Sequence, residues 1–270
     1  MVKSITNMKV VLLAGILMLT ANLCAAQAND STWHHKKCAV VLTYDDAISQ
    51  HLDNAFPVLD SLKLKATFYI TASGVKDRIN DWKKLAPKGY ELGNHTLFHP
   101  CIGGKGREWV KPVYDMNNYT VQRMTDEIRM TNIFLEALDG KKKRTFAFTC
   151  GDMKVNDTAF MGLLKNDFVA ARAVRKQLHT IGEIDLFNID CYVVNGESAS
   201  QMKQWVKQAM DKHALLVILF HGVGGGNALN VSLTDHREFL TFLKQNEKDI
   251  WIAPMIEVAE HIKAYQSQKK

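Results

Sequence analysis

Read for its apolar and polar positions, the chain alternates short hydrophobic runs with longer amphipathic stretches. Residues 38–44 are apolar or β-branched almost throughout, the pattern of a parallel strand buried on both faces. Residues 50–62 then place Leu52, Phe56, Leu59 and Leu62 at helical spacing. Residues 66–70 predict a second strand, 76–86 a basic amphipathic segment with Trp82 and Leu85 turned inward, and 90–93 a third strand. Residues 101–118, rich in Gly, Pro and Asn, predict a long loop; loops of that length inside a compact domain are usually functional, here as the wall of a cleft. A helix follows over about 120–138, with Met124, Ile128, Phe134, Leu135 and Leu138 as its apolar positions. Residues 144–149 predict a fourth strand, 155–164 a helix, and 168–171 and 186–189 two shorter strands. A helix over 199–212 carries Met202, Val206 and Ala209, and 214–220 is the strongest strand pattern in the chain. A Gly-rich loop, a helix over about 234–246, a short strand at 250–252 and a last helix to about 265 complete it.

Strand–helix alternation of this kind argues an α/β class, with a parallel sheet wrapped by helices. A single closed or nearly closed β/α barrel leads, and a doubly wound open sheet is the alternative. No linker divides the chain and no internal repeat appears. In either architecture the site belongs at the C-terminal ends of the strands. The composition of the 270 residues, 47% hydrophobic and 23% charged, excludes a disordered or collagen-like chain. The formal charge is +6, but Lys3 and Lys9 lie in a 28-residue start that holds no acid, leaving +4. That is too mild to imply nucleic acid as a partner. The basic run Lys141-Lys142-Lys143-Arg144 follows Asp139-Gly140 and reads as a solvated turn after a helix.

Residues 1–28 have the layout of a secretory signal: Lys3 and Lys9, an apolar core from Val10 to Leu19, then Ala26-Gln27-Ala28 for cleavage. The apolar part is too short for a membrane span. Export to the periplasm or the medium is therefore expected, with residues 29–270 as one catalytic domain. A lipid anchor at Cys24 ranks second, because Leu23 before it is larger than that signal's usual small residue. Cleavage leaves Cys38, Cys101, Cys150 and Cys191, and four cysteines permit three pairings. Cys101, Cys150 and Cys191 each follow an apolar run, so two can meet at one rim. Among the pairings Cys101 with Cys150 is favoured, while buried or unpaired thiols rank slightly ahead of any disulfide.

The chemistry-bearing residues gather where strands end. Asp45 and Asp46 close the first run, His95 and His99 follow the third, Asp190 follows Ile189, and His221 ends the run 214–220. Spaced by four, His95 and His99 fall on the same face of one helical turn, while Pro100 discourages regular helix beside them. Two imidazoles and one carboxylate are a normal three-ligand set for catalytic zinc, with a position left open for water. Neighbouring carboxylates diverge on extended backbone, so one of the pair ligates and the other serves as general base. His221, on a different strand, faces a leaving group from the other side. The parts amount to metal-assisted acyl hydrolysis.

These residues resemble the polysaccharide deacetylase family, the nodulation-protein-homology domain of carbohydrate esterases. Its T-F-D-D-G motif stands as Thr43-Tyr44-Asp45-Asp46-Ala47, its H-[ST]-x-x-H motif as His95-Thr96-Leu97-Phe98-His99, and its late leucine–histidine motif as Ile218-Leu219-Phe220-His221. The resemblance, over about residues 38–256, implies a distorted (β/α)7-type barrel. It further implies Asp45 as base, Asp46, His95 and His99 as metal ligands, and His221 as acid. Zinc or another divalent transition metal would be the cofactor. The substrate would be a chitin-, peptidoglycan- or xylan-type carbohydrate losing N- or O-linked acetyl groups. Departures are visible. Ala47 replaces Gly, and the third motif, usually R-x-P-Y-G, stands as Ala147-Phe148-Thr149-Cys150-Gly151 without its arginine or proline. Arg144 and Arg172 are the candidates to replace that arginine. Asp190-Cys191-Tyr192 is a thin fourth motif, in which Asp190 is expected to orient or tune a histidine. Trp109, Tyr114 and Tyr119 lie near the long loop, able to stack on sugar rings or to fill the core. Two other readings stand beside the leading one: a glycan-binding protein on a decayed enzyme, and a metal hydrolase of a non-carbohydrate amide or ester. No G-x-S-x-G motif occurs, and Gly222-Val223-Gly224-Gly225-Gly226 lacks the lysine of a phosphate loop.

Overall fold

Strand β1 (Cys38–Asp45) is buried at every residue, which is why its sequence shows no polar alternation until the carboxylates at its end. The structure, a computed structural model, describes residues 32–268; the expected leader over 1–28 and Cys24 lie outside the described residues. The chain divides into Met1–Lys36, of which only the turns at 32–36 are described, and Lys37–Lys270. The second unit is built around β1 as follows.

β2 (Thr67–Ile70), β3 (Glu91–Asn94), β4 (Thr145–Ala147) and β5 (Ala170–Arg172) extend the sheet on one side of β1, each parallel to its neighbour. On the other side β7 (Ala214–Phe220) pairs with β1 over six residues, from Ala39 with Leu215 to Tyr44 with Phe220. The outer edge of β7 takes β6 (Tyr192–Val193), again parallel. Ile189, just before β6, bridges Arg172 of β5, so residues 189–193 join the two ends of the curled sheet. Seven parallel strands thus ring a common interior. β8 (Ile250–Ile252) pairs with the first half of β1. Helices cover the outside. Val121–Asp139 starts on a Thr120 cap and stops at Gly140 in the left-handed region, Ala199–Asp211 starts on a Ser198–Gln201 capping box, and Leu233–Gln245 starts on a Ser232 cap. No helix among the described residues is long and apolar enough to cross a membrane.

Two expected elements are corrected. Residues 155–164 are not a helix. Lys154–Val155 and Thr158–Ala159 form a small hairpin, and a 3-10 turn Phe160–Leu163 follows. Asn156 (φ 46°) and Asp157 (φ 64°) take the two left-handed positions that a tight hairpin turn needs, and Asn and Asp tolerate them best after Gly. The apolar residues Val155, Phe160 and Leu164 still enter the core, which explains why their spacing mimics a helix. Residues 186–189 are not a strand either. Asp185 draws them into a turn, its carboxylate accepting from Phe187 N at 2.9 Å, and the parallel strand begins only at Tyr192.

Beneath the C-terminal end of β1 and β7 lie two buried histidines. His236 Nε2 meets the Tyr44 hydroxyl at 2.8 Å, and His51 Nε2 donates to the His221 carbonyl at 2.7 Å. Burial lowers the His51 pKa to about 4, against the raising effects of that hydrogen bond and of Asp46 and Asp45. Burial lowers His236 to about 3. Above pH 6.5 both are neutral folded or unfolded and contribute nothing. Between 6.5 and about 4 the unfolded chain takes up protons that the folded chain refuses, so stability falls with pH, by at most about 1.4 kcal/mol per unit per histidine. Urea unfolding as a function of pH is expected to show this decline, and His236→Gln to remove one histidine's share of it. An unchanged slope in the variant would contradict the assignment.

Candidate active site

The strand ends of this barrel bring five of the six expected residues to one cavity. Asp45 is the last residue of β1, and Asp46 follows it at φ 84°, with Ala47 at φ 56°. Both are left-handed, so the alanine occupies a conformation that glycine would adopt at lower cost, a difference of order 1 kcal/mol. Gly74 lets the chain cross here; a Cβ on it would stand 2.6 Å from the Asp46 carbonyl.

The histidine turn is not helical. His95 directly follows β3, and the chain then bends through Thr96 (φ 65°) to His99 (φ 56°). Buried Asn94 shapes the bend. Its Oδ1 accepts from Thr96 N at 2.8 Å, while its Nδ2 donates to the Ile128 carbonyl of the long helix at 2.8 Å. The Thr96 hydroxyl in turn accepts from His99 N at 2.9 Å. This bend swings both imidazoles onto Asp46: its Oδ1 lies 3.2 Å from His99 Nε2 and 3.5 Å from His95 Nε2. His95 donates Nδ1–H to the Ala147 carbonyl at 2.9 Å, since a carbonyl can only accept, which fixes the ring so that its Nε2 faces Asp45 and Asp46.

Burial alone raises a carboxyl pKa, but the imidazoles of His95 and His99 outweigh it and hold Asp46 well below the usual carboxylate range. For His99 burial works downward, and Asp46 outweighs it to give a raised value. Asp46 Oδ1 is nonetheless buried without a hydrogen bond of good geometry. One carboxylate oxygen and two imidazole nitrogens, all within 4.8 Å of one another, are a donor set that fits a divalent transition metal.

Asp45 is held from below. Arg172, fully buried at the end of β5, donates Nη2–H to Asp45 Oδ2. Of the two arginines named from the sequence, Arg172 is the one that reaches Asp45. Arg144 instead pairs with Asp139 at 2.8 Å and donates to the Leu92 carbonyl. His221 lines the same cavity, and burial lowers its pKa against the pull of Asp45 and Asp46. The rest of the cavity wall, which encloses about 610 Å³, is mostly apolar, with Phe148, Val174, Val193, Leu219 and Leu229, but it includes Asn227, whose Nδ2 donates to Asp46 Oδ2 at 3.3 Å. Cys101 and Cys150 form a disulfide at its edge, and Cys101 Sγ lies 3.6 Å from His99 Nδ1.

Asp190 is not part of this cluster. The strand it was expected to end begins after it, so Asp190 sits at the entering end of β6 rather than at the mouth that holds the other five residues. Its carboxylate is taken by Arg175 at 2.9 Å and His179 at 2.8 Å.

Residues 33–167 match the polysaccharide deacetylase family. The peptidoglycan-N-acetylmuramic acid deacetylase PdaA of Bacillus subtilis is 26% identical over 101 residues, 37% of this chain and 38% of that protein. A peptidoglycan-N-acetylglucosamine deacetylase of Bacillus cereus is 36% identical over 71 residues, 25% of each chain. The chain thus matches well under half the length of these curated relatives. In fold, a Mycobacterium smegmatis protein assigned to the polysaccharide deacetylases superposes with TM-score 0.60 at 14% identity, over 86% of this chain and 92% of that one.

The donor set predicts one divalent cation per chain. Metal analysis after dialysis against zinc should find it, and His95→Ala should weaken retention by at least about tenfold. Equal zinc retention by the variant would remove the site.

Proposed function

The chain belongs to the polysaccharide deacetylase family, and we propose that it is an exported, metal-dependent hydrolase removing N-acetyl groups from an amino-sugar polymer of chitin or peptidoglycan type. The observation that carries this reading is the convergence of Asp46, His95 and His99 beside an Asp45 locked by Arg172, with His221 on the same cavity. The named relatives act on N-acetylated sugars, which favours the amide over an O-acetyl ester.

Asp46, His95 and His99 would hold the cation. Such a cation supplies Lewis acidity, polarising an amide carbonyl and making a nucleophile available near neutral pH. Asp45 takes the proton of the attacking water as its oxygen bonds the acyl carbon. The Arg172 guanidinium keeps the Asp45 carboxylate pointed and charge-balanced through that transfer. His221 gives a proton to the nitrogen as the carbon–nitrogen bond breaks, leaving acetate and a free amine. The apolar walls accept the acetyl methyl group and exclude competing water.

The reading as a decayed, glycan-binding protein drew its support from the altered third motif and from Ala47. Arg172 supplies the missing arginine's charge from the next strand, so the loss does not leave Asp45 unpartnered. Zinc-loaded chain should release acetate from N-acetylglucosamine oligomers or peptidoglycan, and Asp45→Asn should cut the rate by at least about a hundredfold. No release from either substrate would sink the proposal. Export rests on the leader pattern of residues 1–28; N-terminal sequencing of the protein recovered from the periplasm or medium should begin at Asn29, and an uncleaved cytoplasmic chain would refute it.

A further inference from the structure

We propose that Trp109 is a stacking platform for a pyranose ring of the polymer, next to the sugar whose acetyl group enters the cavity. This rests on the deacetylase reading and says where the rest of the substrate lies. Trp82 and Trp205 are buried, whereas Trp109 is 61% exposed and lines the cavity that holds Asp46 and His99. The other two aromatic residues of the loop are committed elsewhere: Tyr119 is buried, and Tyr114 stacks on Phe98 with ring centroids 5.5 Å apart.

The loop that presents the indole is tied down rather than draped. Cys101 is disulfide-bonded to Cys150 on the turn after β4. Arg107, two residues before Trp109, donates Nη1–H to Asp152 Oδ2 at 2.6 Å and Nη2–H to the Cys150 carbonyl at 3.2 Å. Asp152 Oδ2 also accepts from Ile102 N at 2.8 Å, and Asp115 Oδ1 accepts from Gly103 N at 2.9 Å. Gly103 is needed for this fit, since a Cβ there would come within 2.5 Å of the Asp115 carboxylate. A large apolar ring held at a fixed place in water is unfavourable until something flat covers it. A pyranose does so: its C–H face packs on the indole while its hydroxyls stay solvated at the rim.

Calorimetric titration of N-acetylglucosamine hexamer into the zinc-loaded chain, in an Asp45→Asn background so that the ligand is not consumed, reads the contact. Adding Trp109→Ala should weaken binding about tenfold or more, and Trp109→Phe should restore most of it, with melting temperatures matching the background. In the chain with Asp45 intact, stopped-flow indole fluorescence should change on mixing with the hexamer, and Trp109→Phe should abolish that change. Equal affinity with Trp109→Ala, or a fluorescence change that survives Trp109→Phe, overturns the proposal. Binding that depends on Trp109 without acetate release keeps the platform and discards the deacetylase reading. Acetate release with binding indifferent to Trp109 does the reverse.

Discussion

Arg172 and Asp45 meet inside the barrel, the arginine side chain fully buried and the aspartate almost so, at the base of the cavity. An ion pair in that setting is costly unless each partner is held from several directions, and removing one side of it exposes the other to a penalty of about 3–5 kcal/mol. The support comes from a polar column along the barrel axis. The Arg172 guanidinium lies 5.2 Å from the centre of the Tyr69 ring. The Tyr69 hydroxyl meets Thr145 Oγ1 at 2.9 Å, and Thr145 Oγ1 donates to Glu91 Oε1 at 2.7 Å. Glu91 Oε2 accepts from Thr67 Oγ1 at 2.8 Å and from Ile256 N, at the start of the last helix, at 2.9 Å. Burial raises the Glu91 pKa despite these bonds. Gly93 makes the column possible, since a Cβ on it would lie 2.5 Å from the Tyr69 ring. The barrel is therefore packed around polar contacts as well as apolar ones, and they run from Glu91 up to Asp45 at the cavity.

That column explains what the sequence could and could not reveal. Strands β1 and β7 are legible because parallel strands buried on both faces are written as unbroken apolar runs. The carboxylates, the histidine pair and His221 are legible because they interrupt or end such runs. Arg172 and Arg144 look equivalent in sequence, yet parallel strands separate them. Arg172 closes β5 at the C-terminal end of the strands, whereas Arg144 precedes β4 at the opposite end. Asp190 misleads for the same reason: its neighbours 186–189 are apolar enough to suggest a strand, but Asp185 turns them, and the real strand starts beyond it. The Tyr69–Thr145–Glu91 contacts are invisible to periodicity, because they join three strands through side chains that each look like ordinary strand residues.

The mouth also concentrates backbone strain. Asp46, Ala47, Thr96, His99 and Cys150 all hold left-handed conformations without being glycine. Each such residue costs roughly 1–3 kcal/mol and persists only where its surroundings determine it. The surroundings here are specific: Asn94 and Thr96 fix the histidine bend through hydrogen bonds, and the disulfide fixes Cys150 against the loop after His99. Strain and donor crowding then have a common consequence. Asp46 Oδ1 and a nitrogen of each imidazole are held within 4.8 Å of one another, with Asp46 Oδ1 buried and short of a hydrogen bond of good geometry. A fold that relaxed these turns would gain stability and scatter the donors. The barrel keeps them together because the Arg172–Asp45 pair and the Asn94 bridge anchor both halves of the cluster to rigid strands rather than to the loops that carry them.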